Sequence, residues 1–344
     1  MLDFHDTIAE QFDQAVHQQV FPGAVWATGS ADAVLDFGAC GLADPTNPTS
    51  AMRSDMLFDV ASLTKILAVW TVIGTIWHDG MLPLDDPLAT IWPEVVDYPI
   101  GQVTARQLLT HTAGLPLRSN LKNLYGTDPQ SIRDGILREQ LHRPPGEAVE
   151  YTNRAGLILG FLAEHLTTTP LDQLATERIW KPLGMTSTRF GPLPATDRSR
   201  CAPTELDSDT GTRLKGVVHD YSARLLGGVC GSAGVFSTLP DLTRFLQHLL
   251  SLGSDPDRAG FGPAWLAESL QVHTGDLTPP WGLFWFPPPG QEVVYVHYGF
   301  TGTGMWLSPK QDRWAVMLTN KLYYSSDRTP IMNVRGVFRA AIFG

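Results

Sequence analysis

The residues of this chain best equipped for chemistry fall in three short stretches far apart in sequence. The first is Ser62-Leu63-Thr64-Lys65. Phe58-Asp-Val-Ala61 before it is strand-like and Ile66 onward is strongly helical, so Ser62 is expected to open a helix. Positions i and i+3 share a helix face, which brings the Ser62 hydroxyl and the Lys65 ammonium together. A helix N-terminus adds about half a positive charge and free N–H groups, favouring an alkoxide and then an oxyanion. That is equipment for nucleophilic catalysis. The plainer alternative is that Ser62 is an N-cap. Ser119-Asn-Leu-Lys122 has the same spacing, but in a loop after Gly114-Leu-Pro116, where it carries no weight.

The second stretch is Tyr151-Thr152-Asn153, between Pro144-Pro-Gly146 and a helix. Residues two apart on extended backbone point the same way, so Tyr151 and Asn153 can face one cleft. A phenol ionises at about pH 10, and making one a base near neutrality takes roughly 4 kcal/mol. An ammonium about 4 Å away, at an effective dielectric of about 20, supplies that much. A Lys65–Tyr151 pair is therefore sufficient, whichever member holds the shared proton. Asn153 can orient Lys65 or hold a substrate carbonyl. The bland alternative is an Asn-containing turn that caps the helix at Arg154, with Tyr151 in the core.

The third stretch is His297-Tyr-Gly-Phe-Thr-Gly-Thr303. Gly299 lets backbone approach a ligand closely. The Phe300 N–H can join that of Ser62 as an oxyanion hole, where losing one donor costs about 10²–10³ in rate. His297 can donate to substrate or shuttle a proton, or simply be structural at a strand end.

Elements must bring these stretches together. At 344 residues the chain can bury a large core, and two packed lobes are expected. Residues 2–19 have helical spacing, and 23–28 with 33–37, split by Gly29-Ser-Ala-Asp32, read as a β-hairpin. A long apolar helix is expected over 62–78, with others at 105–110, 130–141, 154–167, 170–179 and 239–252. The segment 202–214 reads as an exposed flap. Residues 281–286, 293–297, 304–307 and 314–319 read as strands, followed by a helix from about Met332. The pattern is α/β (α+β): one sheet lobe from residues 1–61 and 235–344, a mostly helical lobe from 62–234, and the site between them. Trp281, Phe284, Trp285 and Phe286 crowd one segment. Core packing explains most of them, and one or two, with Tyr298 and Phe300, can line an apolar pocket.

In this order and context the three stretches resemble those of the serine β-lactamase and penicillin-binding-protein-like superfamily. Within it the chain is most similar to the class C β-lactamase-related esterases and D-peptidases, with their Ser-x-x-Lys, Tyr-x-Asn and Lys-Thr-Gly or His-x-Gly. The resemblance runs through 108–115, 144–146, 183–186, 218–220, 227–234 and 236–245, so it covers nearly the whole chain. It implies Ser62 as nucleophile, Lys65 and Tyr151 as the base system, and an oxyanion hole from the Ser62 and Phe300 backbone. Asn153, His297, Gly299 and Phe300 would contact substrate. It implies an antiparallel sheet, flanked by N- and C-terminal helices, against the helical lobe. It implies no metal and no cofactor. One departure is His297 where a lysine would anchor a substrate carboxylate. That departure favours a carboxylesterase acting on small esters. The alternatives are a D-stereospecific peptidase or amidase, a weak β-lactamase, or, from another class, an acylated sensor or scaffold without turnover.

Other signals exclude more than they add. A formal net charge of −10 leaves no basic surplus for nucleic acid. Cys40, Cys201 and Cys230 are scattered, with neither disulfide nor zinc spacing. The longest apolar run, 66–77, is too short for a bilayer, and Met1-Leu-Asp-Phe-His-Asp6 is no signal peptide, so a cytoplasmic protein is expected. Neither Gly-x-Ser-x-Gly nor a metal motif occurs; Cys230-Gly-Ser232-Ala-Gly234 reads as a glycine turn lining the cleft, and His111 as a buried hydrogen-bonding residue. A triad of Ser232, His219 and Asp220 is the weaker alternative.

Overall fold

Period-two alternation places Ala24 and Trp26 of Gly23–Gly29 (β1) on one side of a sheet and Val25 and Ala27 on the other. A turn returns the chain as Val34–Gly41 (β2), antiparallel, with Gly23 opposite Gly41. The computed structural model describes residues 4–117, 120–252 and 259–344. Ser119 lies outside the described residues, and with it the second Ser-x-x-Lys match.

Three short strands, Phe58–Asp59 (β3), Arg189–Phe190 (β4) and Val235–Ser237 (β5), make a small antiparallel sheet in the order β3–β5–β4. The main sheet is completed by Tyr295–Tyr298 (β6), Gly304–Ser308 (β7) and Arg313–Thr319 (β8). Its order is β2–β1–β8–β7–β6, antiparallel throughout, so residues from both halves of the chain share one ladder. β2 is an edge strand, and its Val34, Leu35 and Phe37 are exposed.

The two sheet faces bury separate cores. On one, helices Phe4–His17 (α1) and Thr329–Phe343 (α2) pack together, and Phe12 meets Phe21, Trp26 and Phe338 at 6.0, 4.8 and 5.3 Å between centroids. On the other, Val25, Ala27, Val316 and Leu318 join the apolar side chains of the helical region. That region includes helices Ala105–Leu109, Pro129–Leu137, Asn153–Thr167, Leu171–Ala175 and Leu239–Ser251, close to the expected positions.

Three expectations need correction, and one element was not foreseen. The segment 62–78 is not one α-helix. A tight 3₁₀ turn, Ala61–Leu63, leads into wide π turns, Lys65–Trp70, and only Thr71–His78 is α-helical. Residues 281–286 form no strand. Phe284 is left-handed (φ 61°) and its N–H donates to Leu109 O, leaving a single bridge between Phe286 and Val296. Trp281, Leu283, Phe284 and Trp285 are all buried and Phe286 is half-buried, so this loop threads between layers without the alternation of a strand. The supposed flap begins inside the protein: Ala202 and Thr204 are buried, and the Ala202 N–H donates to Leu57 O. Finally, Pro263–Leu270 is a helix not anticipated from the pattern.

Candidate active site

The turn that presents Ser62 is held by its neighbours. The buried Asp59 carboxylate accepts from the Ala61 N–H (2.9 Å) and from the His219 N–H (2.8 Å). Asp59, not Ser62, therefore satisfies the turn's first amide, and the Ser62 hydroxyl is free of capping duty. Ala61 itself is left-handed (φ 49°), a conformation uncommon for a residue with a Cβ. Burial raises the Asp59 carboxyl pKa, against the opposing pull of His219.

Lys65 is fully buried. Its Nζ donates to Asn153 Oδ1 (2.9 Å), to Ser232 O (3.0 Å) and, more loosely, to Ser62 Oγ (3.4 Å). Three donors thus have three acceptors, and one of them is the hydroxyl. Asn153 is available for this because Thr152 caps the helix beginning at Asn153, its Oγ1 accepting from the Arg154 N–H (3.2 Å). The buried Arg154–Glu139 pair anchors that helix start (2.7 Å).

Tyr151 is not core: it is 41% exposed. Its ring centroid lies 5.1 Å from Lys65 Nζ, 4.6 Å from the His111 ring and 6.3 Å from the His297 ring. No hydrogen bond to Tyr151 Oη is found among the described residues.

The loop after His297 is fastened to the strand before Ser62. Thr301 Oγ1 donates to Asp59 O (2.7 Å) and Thr303 Oγ1 to Val60 O (3.1 Å). Arg335, on α2, donates through Nη2 to Gly299 O (2.7 Å) and Thr303 O (2.6 Å). A Cβ at Gly299 would strike Thr303 Oγ1 and Val60 O, so the loop can lie this close only as glycine. Among the described residues, no acceptor is found for the backbone N–H of either Ser62 or Phe300.

His297 is buried, and neither ring nitrogen has a partner among the described residues. Burial, then the Lys65 charge, push its pKa down to about 3, so its imidazole is neutral at neutral pH. His111 is likewise buried with both nitrogens unpartnered, contrary to the hydrogen-bonding role expected of it, and its pKa lies well below the usual value for the same reasons. For His219, burial disfavours the charged form, but Glu205, Asp59 and Asp220 outweigh it and the net direction is upward. The Ser232 triad does not assemble. Ser232 is fully buried with its Oγ 3.3 Å from Cys230 Sγ, and His219 Nδ1 lies 3.6 Å from Glu205 instead.

Ser62, Tyr151 and Phe300 border two cavities. The smaller, about 170 Å³, is walled by Trp281, Phe286, His297 and α2 residues. The larger, about 1040 Å³, reaches Asn120, Tyr221 and Asp220. The structure thus brings together every candidate site residue from the three stretches. Sequence reasoning missed the Ser232 carbonyl, which no side-chain motif reveals, and the cations Lys321, Arg328 and Arg335. On paper α2 reads as an ordinary amphipathic helix, and nothing marks Arg335 as inward.

Among the described residues, no helix is long and apolar enough to cross a membrane, and no cluster of three or more His, Cys, Asp or Glu side chains could hold a metal ion. The sequence pattern of the beta-lactamase family matches residues 8–336. A protein of Escherichia coli (strain K12) named "Putative D-alanyl-D-alanine carboxypeptidase" is 30% identical over 308 residues, covering 77% of this chain and 69% of that one. Two solved structures are similar in fold. One is the D-alanine carboxypeptidase AmpC from Burkholderia cenocepacia, with TM-score 0.77, 20% identity and 99% of each chain covered. The other is EstCE1, described as a hydrolase with promiscuous acyltransferase activity, with TM-score 0.77, 19% identity, and 99% and 98% covered.

Proposed function

The chain belongs to the beta-lactamase family, a serine hydrolase superfamily, and from that premise we propose that Ser62 forms an acyl-enzyme in a carboxylesterase acting on small esters. The observation that carries the reading is the Lys65 ammonium, buried and fixed by Asn153 and the Ser232 carbonyl, 3.4 Å from Ser62 Oγ. Ser62 Oγ attacks the ester carbonyl carbon while its proton passes to the Tyr151–Lys65 pair. The carbonyl oxygen, now negative, takes hydrogen bonds from the Ser62 and Phe300 amides, which are unclaimed among the described residues. The C–O bond breaks, and the leaving alkoxide recovers the proton from the same pair. Water then enters, gives a proton to that pair, and releases the carboxylic acid with Ser62 restored. His297, neutral, acts as wall and hydrogen-bonding group rather than charge.

A second reading is a D-stereospecific peptidase or amidase, supported by the names of the Escherichia coli and Burkholderia cenocepacia proteins. Intact-protein mass after treatment with a fluorophosphonate, on wild type and Ser62→Ala, tests the nucleophile. One adduct on wild type alone is expected, and equal labelling of both sinks the assignment. Rates on p-nitrophenyl butyrate, a D-amino-acid p-nitroanilide and a chromogenic cephalosporin then separate the readings, the ester being expected fastest. An adduct on the ester without steady turnover would point to an acylated sensor.

A further inference from the structure

Tyr151 is 41% exposed, and no hydrogen bond to its Oη is found among the described residues. Packing alone therefore aims the phenol that the proposed mechanism needs beside Lys65. The rings of Trp281 and His297 are each 6.3 Å from the Tyr151 ring, near the outer limit for aromatic pairing. The His111 ring is much closer, at 4.6 Å and tilted by 43°. It lies against the same phenol ring that stands 5.1 Å from Lys65 Nζ.

His111 is itself held from several sides. It is buried, Phe284 stacks on it at 5.3 Å, and Trp281 meets it edge-on at 5.2 Å. Neither ring nitrogen has a partner among the described residues, so packing, not hydrogen bonding, sets the ring. Its C=O accepts from the N–H of Glu150 (2.8 Å), the residue before Tyr151, and Thr112 O accepts from the Gly146 N–H (2.7 Å). One stretch of backbone thus carries both the imidazole and the lead into the tyrosine. His111 is left-handed (φ 57°), and so is Phe284 (φ 61°), whose N–H is held by Leu109 O (2.8 Å). Two such residues in ring contact mark a place where the fold overrides local backbone preference. Burial, then Lys65 and His297, keep the imidazole neutral, so it meets the phenol without adding a second cation beside Lys65.

We propose that His111 is a positioning residue for Tyr151: its clamped ring sets the phenol over the Lys65 ammonium and acts on proton transfer, not on substrate binding. The proposal rests on Tyr151 being part of the base system and names what aims it.

His111→Leu fills the space without a flat ring, and His111→Phe restores one. On p-nitrophenyl butyrate, His111→Leu is expected to lower kcat about 10–10²-fold, the cost of misplacing a reacting group by about 1 Å, with KM within about threefold. His111→Phe should recover most of that loss. Added to Tyr151→Phe, His111→Leu should cost less than about threefold, because the group it aims is already gone. A residue that only supported the fold would cost the same in both backgrounds. Equal losses, or a wild-type kcat in His111→Leu, overturn the proposal. Near-ultraviolet circular dichroism checks folding, and His111→Gln replaces the leucine variant if that one does not fold. A readout without turnover is fluorine NMR of protein labelled with fluorotyrosine, the Tyr151 signal being the one missing from Tyr151→Phe. That signal should move or broaden in His111→Leu and return in His111→Phe; an unmoved signal in His111→Leu also overturns the proposal. A wild-type rate in Tyr151→Phe instead removes Tyr151 from the base system, and the fluorine signal still decides whether His111 places its ring.

Discussion

Lys65 spends its three donors on Asn153, Ser232 O and Ser62, and this leaves Tyr151 as the exposed member of the proposed base system. Tyr151→Phe keeps the ring against His111, centroids 4.6 Å apart, and removes only the hydroxyl. A kcat loss of about 10²–10⁴ with little change in KM is expected, since proton transfer acts in the transition state; steady-state kinetics on p-nitrophenyl butyrate check it. His297 makes a different claim. Folded, its ring stays neutral down to about pH 3, whereas an ordinary histidine takes up its proton near 6.5. Between those values the unfolded chain binds more protons, so stability rises with pH there and is lost as pH falls. His111 adds to the same trend. His297→Gln should therefore move the acid-unfolding midpoint, followed by circular dichroism, to lower pH. At this scale the sequence exposes residue types and spacing. It does not expose environment: nothing in the row of letters says that two histidines lie buried without partners, or that Asp59 takes over the cap otherwise assigned to Ser62.

The element with most influence on the site is the loop of residues 299–303, pinned by two threonine hydroxyls and by Arg335 of α2. Gly299→Ala must push it away from Val60 and carry the Phe300 amide with it. A kcat/KM loss of about 10²–10³ is expected, the size of losing one oxyanion donor. Thr301→Val, losing one hydrogen bond, should cost about 0.5–1.5 kcal/mol in denaturant unfolding. Main-sheet strands β1, β2 and β6–β8 were legible because turns separate short apolar runs. Strands β3, β4 and β5 were not, since two or three residues are too few to show a period. The aromatic run at 281–286 misled for the opposite reason. Consecutive residues 281–285 are buried whichever way they point, so apparent strand composition carried no strand geometry. The 3₁₀ and π turns after Val60 share the apolar pattern of an α-helix and differ only in hydrogen bonding, which composition does not encode.

The whole molecule rests on two cores divided by one sheet. The smaller, around Phe12, Trp26 and Phe338, lies on the face away from the helical region and joins the two helices that flank the sheet. Phe12→Ala is expected to cost about 3–5 kcal/mol in denaturant unfolding. That the chain's two ends meet in one sheet was readable from where strands and helices cluster; the strand order itself needed the structure. The tie between the loop and the serine strand has a consequence for synthesis. Thr301 and Thr303 hold Asp59 and Val60 across 242 and 243 residues of sequence. A ribosome adding about 5–20 residues per second needs roughly 12–50 s to cover that distance. Throughout that interval the nascent chain carries the proposed nucleophile without the amide meant to complete its oxyanion hole, so hydrolytic activity arrives late and all at once rather than growing with the chain.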